Sequence, residues 1–352
     1  MITAWQSILN LPEHTPHAVV MILVLIISYL FVVLPCSLIM AFMERKLSAD
    51  LQARVGPNRS GPAGFFQPVS DALKLMQKVD SPSSNRAEAI WLGIAGMALY
   101  STVAVLPLGS LILLVDTDMS VFLPFWGVIV LTFATLMMGL TQDTVSGWLG
   151  GLRTSLRGMA GVFPALIAVL CAGLPAGGFS WSHIAAAQSA APYHWTAFNN
   201  PFGAISLIVF LMSGMIVLGV APLDGAISFS ELRGGTAAHL SGPKLGMFRL
   251  SRFYGMFLWC VMAVVLFLGG WSIPEGLTEA LRDSNSFGVI VLIELFVLLI
   301  KTFAVMLLIV MFSQVTPRMR VDQVTDLNWK VLSPFSLISL VGFAFWTAWL
   351  HG

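Results

Sequence analysis

The chain has 352 residues, of which 57% are hydrophobic and 10% charged, and its formal net charge is +1. Soluble domains carry about a quarter charged residues, so this composition and a mean hydropathy of +0.87 exclude an ordinary soluble protein and define an all-α integral membrane protein. The near-zero net charge says little about partners, because the distribution of charge matters here and the sum does not; no nucleic-acid partner is expected.

The N-terminus lacks a basic leader and a small-residue cleavage site, and its first apolar run is too long for a signal peptide, so that run is expected to remain as a membrane helix. About 20 apolar residues cross the hydrocarbon core as a helix. Eight runs meet that length, at 18–43, 90–115, 121–140, 159–176, 202–221, 252–270, 287–312 and 331–350, within a single membrane domain. Pro164 and several glycines interrupt the fourth, as close helix packing in membranes commonly does.

Between the first two runs lies a polar loop, 44–89. Gly56-Pro57-Asn58 and Gly61-Pro62 mark turns, and Phe65, Phe66, Val69, Ala72, Leu73 and Met76 then recur at helical spacing. Ser70, Asp71, Lys74, Gln77 and Lys78 fall on the other face, which predicts an amphipathic helix lying along the membrane surface.

Lysines and arginines alternate between connections. The first loop has seven (Arg45, Lys46, Arg54, Arg59, Lys74, Lys78, Arg86), the third has Arg153 and Arg157, the fifth Arg233, Lys244 and Arg249, and the seventh Arg318, Arg320 and Lys330. The even loops hold only Arg282. The positive-inside rule then places the odd loops in the cytoplasm and both termini on the opposite side, periplasmic for a bacterial inner membrane.

Cys36, Cys171 and Cys260 stand singly in apolar runs, without the spacing of a disulfide framework, a zinc site or an iron–sulfur site. The six histidines are scattered, and no phosphate-binding loop, dinucleotide fingerprint or nucleophile–base pair occurs. No catalytic residue and no bound cofactor or metal is therefore expected of this chain alone.

The polar segments carry a resemblance. "ERKLSADLQARVGPNRSG" after the first run, "GGLRTSLRG", "APLDGAISFSEL", "SGPKLGMF", "LFLGGW", "IKTF" and "PRMRVDQVTDLNWKVLSP" occur in an order and spacing that resemble those of the quinone-site membrane subunit of proton-pumping NADH:quinone oxidoreductase (respiratory complex I). The resemblance spans nearly the whole chain. It implies a chamber that quinone, such as ubiquinone, enters from the bilayer. NADH, FMN and iron–sulfur clusters would be held by peripheral partner subunits, and neighbouring membrane subunits would complete a proton translocase of the respiratory electron transport chain.

By the same resemblance Glu44, Arg45, Arg54, Asp71, Asp224 and Glu231 line the quinone chamber. Lys301, Glu294 and Arg153 are candidates for proton coupling, and Arg59, Arg318, Arg320 and Asp322 for subunit docking. An ammonium near the middle of a membrane helix costs about 2.5–3.5 kcal/mol on insertion scales, so Lys301 is expected to find a carboxylate, a carbonyl or water. Glu294 is two helical turns away, about 10.5 Å along the axis, too far for a direct pair.

The chain departs from the family where acids are expected. "PLDGAISFSEL" keeps only Asp224 and Glu231, a basic residue before it is Val220, a Tyr-Glu pair falls near Gly161 and Val162, and a Glu-Tyr pair falls at Arg252-Phe253. Altered ion coupling is therefore expected. The competing readings are the anchoring subunit of a membrane-bound hydrogenase or formate hydrogenlyase, a secondary transporter, for which no internal repeat is visible, and a purely structural anchor.

Overall fold

The computed structural model describes residues 17–79, 86–110, 113–188, 191–224, 235–238, 240–272 and 287–351. Eight helices within it are long and apolar enough to cross a membrane, in agreement with an all-α membrane protein. Lipid offers no hydrogen bonds, so each spanning segment must satisfy its own backbone, and a helix does this.

The first span, α1 (Val19–Leu51), runs 33 residues through one π-helical turn at Tyr29–Val33 and projects past the apolar run into Glu44 and Arg45. Its loop turns back sharply at Gly64, whose φ of 81° is a left-handed value and where a Cβ would lie 2.2 Å from the Pro57 carbonyl oxygen. The amphipathic helix follows as α2 (Gln67–Gln77). Phe65, Phe66, Val69, Leu73 and Met76 of the expected stripe are exposed, as a face meeting lipid requires. The face turned toward the bundle is one position round from it. Pro68 is buried, Leu75 packs 3.5 Å from where a Gly246 Cβ would stand, and Asp71, expected on the solvated face, points inward to Arg45.

The next spans are α3 (Arg86–Ala104), α4 (Ser120–Leu140) and α5 (Val145–Ala176). Expected over 159–176, the fourth span begins 14 residues earlier, so Arg153 and Arg157 lie in a helix and not in a loop. Thr144 caps it by accepting from the Gly147 N–H at 3.3 Å, and Pro164 does not end it. Glycines let α4 and α5 touch backbone to backbone, since a Cβ on Gly139 would lie 2.8 Å from the Gly151 Cα. A short helix, α6 (Trp181–Ala187), precedes the fifth span, α7 (Pro201–Leu218).

The sixth span, α8 (Gly242–Phe267), begins ten residues before the expected 252 and forms the axis of the bundle, buried without a break from Tyr254 to Phe267. It packs on α1, α2, α3, α7 and α9 (Phe287–Val315). Trp259 fixes it to α7 by stacking on Phe210 at 4.8 Å between centroids while its Nε1–H donates to the Phe210 carbonyl at 3.0 Å. The last span, α10 (Val321–Trp349), contains a second π-helical turn at Asn328–Leu332. There the buried Asn328 amide donates to the Ala160 carbonyl of α5 at 2.9 Å.

Candidate functional site: an apolar groove and the basic end of the bundle

A groove of about 370 Å³ runs between α1, α2 and α8. Its wall is almost wholly apolar, including Leu34, Leu38, Val69, Leu73, Met247 and Phe253, and three ionisable side chains, Arg45, Asp71 and Arg249, stand on it. Val69, Leu73 and Met247 are exposed, so the groove opens on the outer surface of the bundle. An apolar cleft with a few placed polar groups is the general form of a site for a largely apolar ligand.

Arg45 reaches it from the end of α1 and Asp71 from α2. They form a hydrogen-bonded ion pair, and the Gln67 amide donates to the second Asp71 oxygen at 2.9 Å. Partial burial acts to raise the Asp71 pKa. The hydrogen bonds from Arg45 and Gln67, with the charges of Arg45 and Arg249, outweigh it and hold the carboxyl below its ordinary range. The groove thus presents a fixed anion between two guanidiniums.

Deeper at the basic end, Glu44 lies 4.0 Å from Arg252 of α8, and Asp224, which follows α7, is bridged by Arg318 at 3.2 Å. Asp224 is buried whereas Arg318 is exposed. Arg54, Arg59, Arg320 and Asp322 are exposed, and Arg153 is half-buried on α5. The expected residues therefore divide into two groups: Arg45 and Asp71 share the groove, while Glu44 and Asp224 join Arg252 and Arg318 in ion pairs beside it. Glu231 lies outside the described residues.

Lys301 sits apart from this cluster. Its ammonium donates to the carbonyls of Leu268 and Gly270, both at 3.0 Å, and lies 4.3 Å from the centre of the Trp195 ring. The end of α8 supplies the carbonyls, so a cation here also meets the negative end of the helix dipole. Glu294 instead accepts from the Ser110 N–H and hydroxyl at 2.8 and 2.7 Å. The two side chains are satisfied separately, as their spacing along α9 requires.

The sequence marked Arg249 and Arg157 only as loop charges and Arg252 only as a departure from the family pattern, and it assigned Gln67 no role. Arg157 is 1% exposed, and its Nη1 donates to the Leu223 carbonyl at 2.9 Å. The signal that could have found it was its place four residues after Arg153, one helical turn on, in a segment whose glycines suit close helix packing.

Fold and site define an eight-span membrane protein with an apolar groove on its surface beside a cluster of ion pairs at its basic end. The family model for NADH dehydrogenase matches residues 21–344, and the chain belongs to that family, in agreement with the complex I resemblance carried by its polar segments. Among solved structures it is similar to a chain in the membrane-bound sulfane sulfur reductase (MBS), an archaeal respiratory membrane complex. The TM-score is 0.74 and the identity 22%, over 92% of this chain and 99% of that one. At that identity the likeness is one of fold.

Proposed function

We propose that the chain is the quinone-site membrane subunit of a complex I-type NADH:quinone oxidoreductase in a bacterial inner membrane. The observation that carries this reading is the groove between α1, α2 and α8, apolar along its length and ionic where Arg45, Asp71 and Arg249 meet. An isoprenoid tail can pass from lipid to such an apolar wall at little cost, while a headgroup that gains charge on reduction is met by guanidiniums. Electrons in this reading come from NADH through FMN and iron–sulfur clusters in peripheral subunits, and this chain contributes no redox group.

The exposed Arg59, Arg320 and Asp322, with Arg318, form the docking surface for those subunits, and Arg54 stands at the rim of the chamber. Lys301, Glu294 and Arg153 are the groups able to couple quinone chemistry to proton movement. Glu44, Asp224 and Glu231 are the chamber carboxylates. Because arginine stands at position 252 and neutral residues at 161 and 162, the reading includes a lower ratio of protons moved to electrons transferred than in members rich in acids at these places.

The test is an Ala72→Trp substitution, which fills the groove, assayed in the purified complex in nanodiscs. Reduction of a long-tailed quinone should fall at least several-fold, while reduction of a short-chain, water-soluble quinone by the same preparation should be less affected. Equal rates with the long-tailed substrate before and after substitution would remove the groove from the access path. Co-purification with a nickel–iron subunit in place of an NADH-oxidising one would move the chain to the hydrogenase branch.

A further inference from the structure

A second site lies where α4, α5, α7 and α8 meet around a partly open cavity of about 30 Å³. Arg157 and Arg252 both line it. Arginine keeps its charge at any biological pH, so burial cannot be relieved by loss of a proton.

The Arg157 guanidinium is almost wholly enclosed and makes one hydrogen bond, from Nη1 to Leu223. Among the described residues nothing accepts from its Nε or Nη2. The backbone makes room for it: a Cβ on Gly219 would lie 2.6 Å from Nη2. The neighbouring carboxylates make no hydrogen bond to the Arg157 guanidinium among the described residues, although Asp224 Oδ1 is buried there without a partner. Asp224 attracts Arg157 at a distance, but its Oδ2 is bridged by Arg318, and Glu44 stands 4.0 Å from Arg252. Among the described residues, Glu44 and Asp224 are the carboxylates that stand beside Arg157 and Arg252.

The rest of the wall adds no further donor from its hydroxyls. Thr132, Thr135 and Thr154 donate theirs to the carbonyls of Ile129, Thr132 and Gly150. Leu131, Val217 and Leu218 close the cavity with apolar surface. Two like charges on one apolar cavity repel more strongly than they would in water. A neutral water satisfies an N–H group but leaves that repulsion in place, whereas an anion removes both.

We propose that a monatomic anion of halide size binds between Arg157 and Arg252. One water takes about 10–15 Å³ of such volume, so the cavity admits a chloride or bromide ion and excludes a phosphate ester or a lipid headgroup. The site stands on the geometry of the bundle, independently of the quinone reading.

The experiment uses the purified full complex. Crystals grown in sodium bromide and measured at the bromine absorption edge should show anomalous density between the two guanidiniums. Thermal unfolding in sodium chloride and in sodium gluconate at equal ionic strength should differ by a few degrees in favour of chloride, and Arg252→Met should abolish that difference. Absence of the bromide peak overturns the proposal, whether a water or the Glu231 carboxylate is found there instead. A peak without any halide effect on unfolding denotes an adventitious ion only and also overturns it.

Discussion

Lys301 donates to the Gly270 carbonyl at 3.0 Å, from the middle of α9 to the end of α8. With the matching bond to Leu268 it supplies donors to two carbonyls that the helix end leaves without intrahelical partners. Lys301→Met keeps the length of the side chain and removes both donors. Leaving buried acceptors unpaired costs about 1–3 kcal/mol each, so the variant complex should melt several degrees lower. Lys301→Arg retains donors and charge and should recover part of the loss. Equal melting of Lys301→Met and the parent would deny the lysine this bracing role.

The Asp71 carboxyl is held below its ordinary pKa, and the sign of the consequence follows. A carboxylate whose folded pKa is depressed stabilises the folded state above its unfolded value, about 3.9, and loses that contribution as pH falls through the folded value. Docking of α2 on α1 and α8 should therefore not weaken between pH 7 and 5, and should loosen below about pH 4. Both partners are about a third exposed, so the pair contributes about 0–1 kcal/mol and less in high salt. Hydrogen exchange of the α2 amides across pH, in the parent and in Asp71→Asn, measures this. An α2 exchange rate that rises smoothly from pH 7, after correction for intrinsic chemistry, would refute the assignment.

The eight spans were legible because apolar length alone defines them, and the basic loops because charge cannot be left in lipid. The starts of α5 and α8 were not. "GGLRTSLRG" and "SGPKLGMFRLSR" read as loops by hydropathy, yet both are helical, because Thr154 and Ser155 bond to their own helix and Arg157 and Arg252 turn toward neighbouring helices. The resemblance put Asp71 on a chamber wall, but periodicity alone put it on the solvated face of α2, because the partner that draws it in comes from another helix, 26 residues earlier. The same holds for Lys301, whose need for acceptors was evident and whose acceptors, over 30 residues away, were not.

The Asp224–Arg318 bridge is unequal. Asp224 is 8% exposed, and its Oδ1 is buried without a hydrogen-bond partner among the described residues, while the Arg318 side chain is 55% exposed. Removing Arg318 takes from a buried carboxylate its bridging counter-charge, and removing Asp224 takes from the buried Arg157 the charge that attracts it. Arg318→Ala and Asp224→Ala should therefore each lower the melting temperature of the complex, and the double variant should lose less than the sum of the two. Additive losses would show that the two act independently.

Two glycines separate backbone need from mere small size. Gly64 has φ 81° and a Cβ there would strike the Pro57 carbonyl, whereas a Cβ on Gly93, inside α3, meets nothing within 4 Å. Gly64→Ala should displace the turn that aims α2, lowering long-tailed quinone reduction together with protection of the α2 amides. Gly93→Ala should be neutral or stabilise, since alanine is favoured over glycine in a helix by roughly 0.5–1 kcal/mol. The comparison is informative because both changes add one methyl group. If the two variants retained equal activity and equal α2 protection, the left-handed turn at Gly64 would not be what positions the groove.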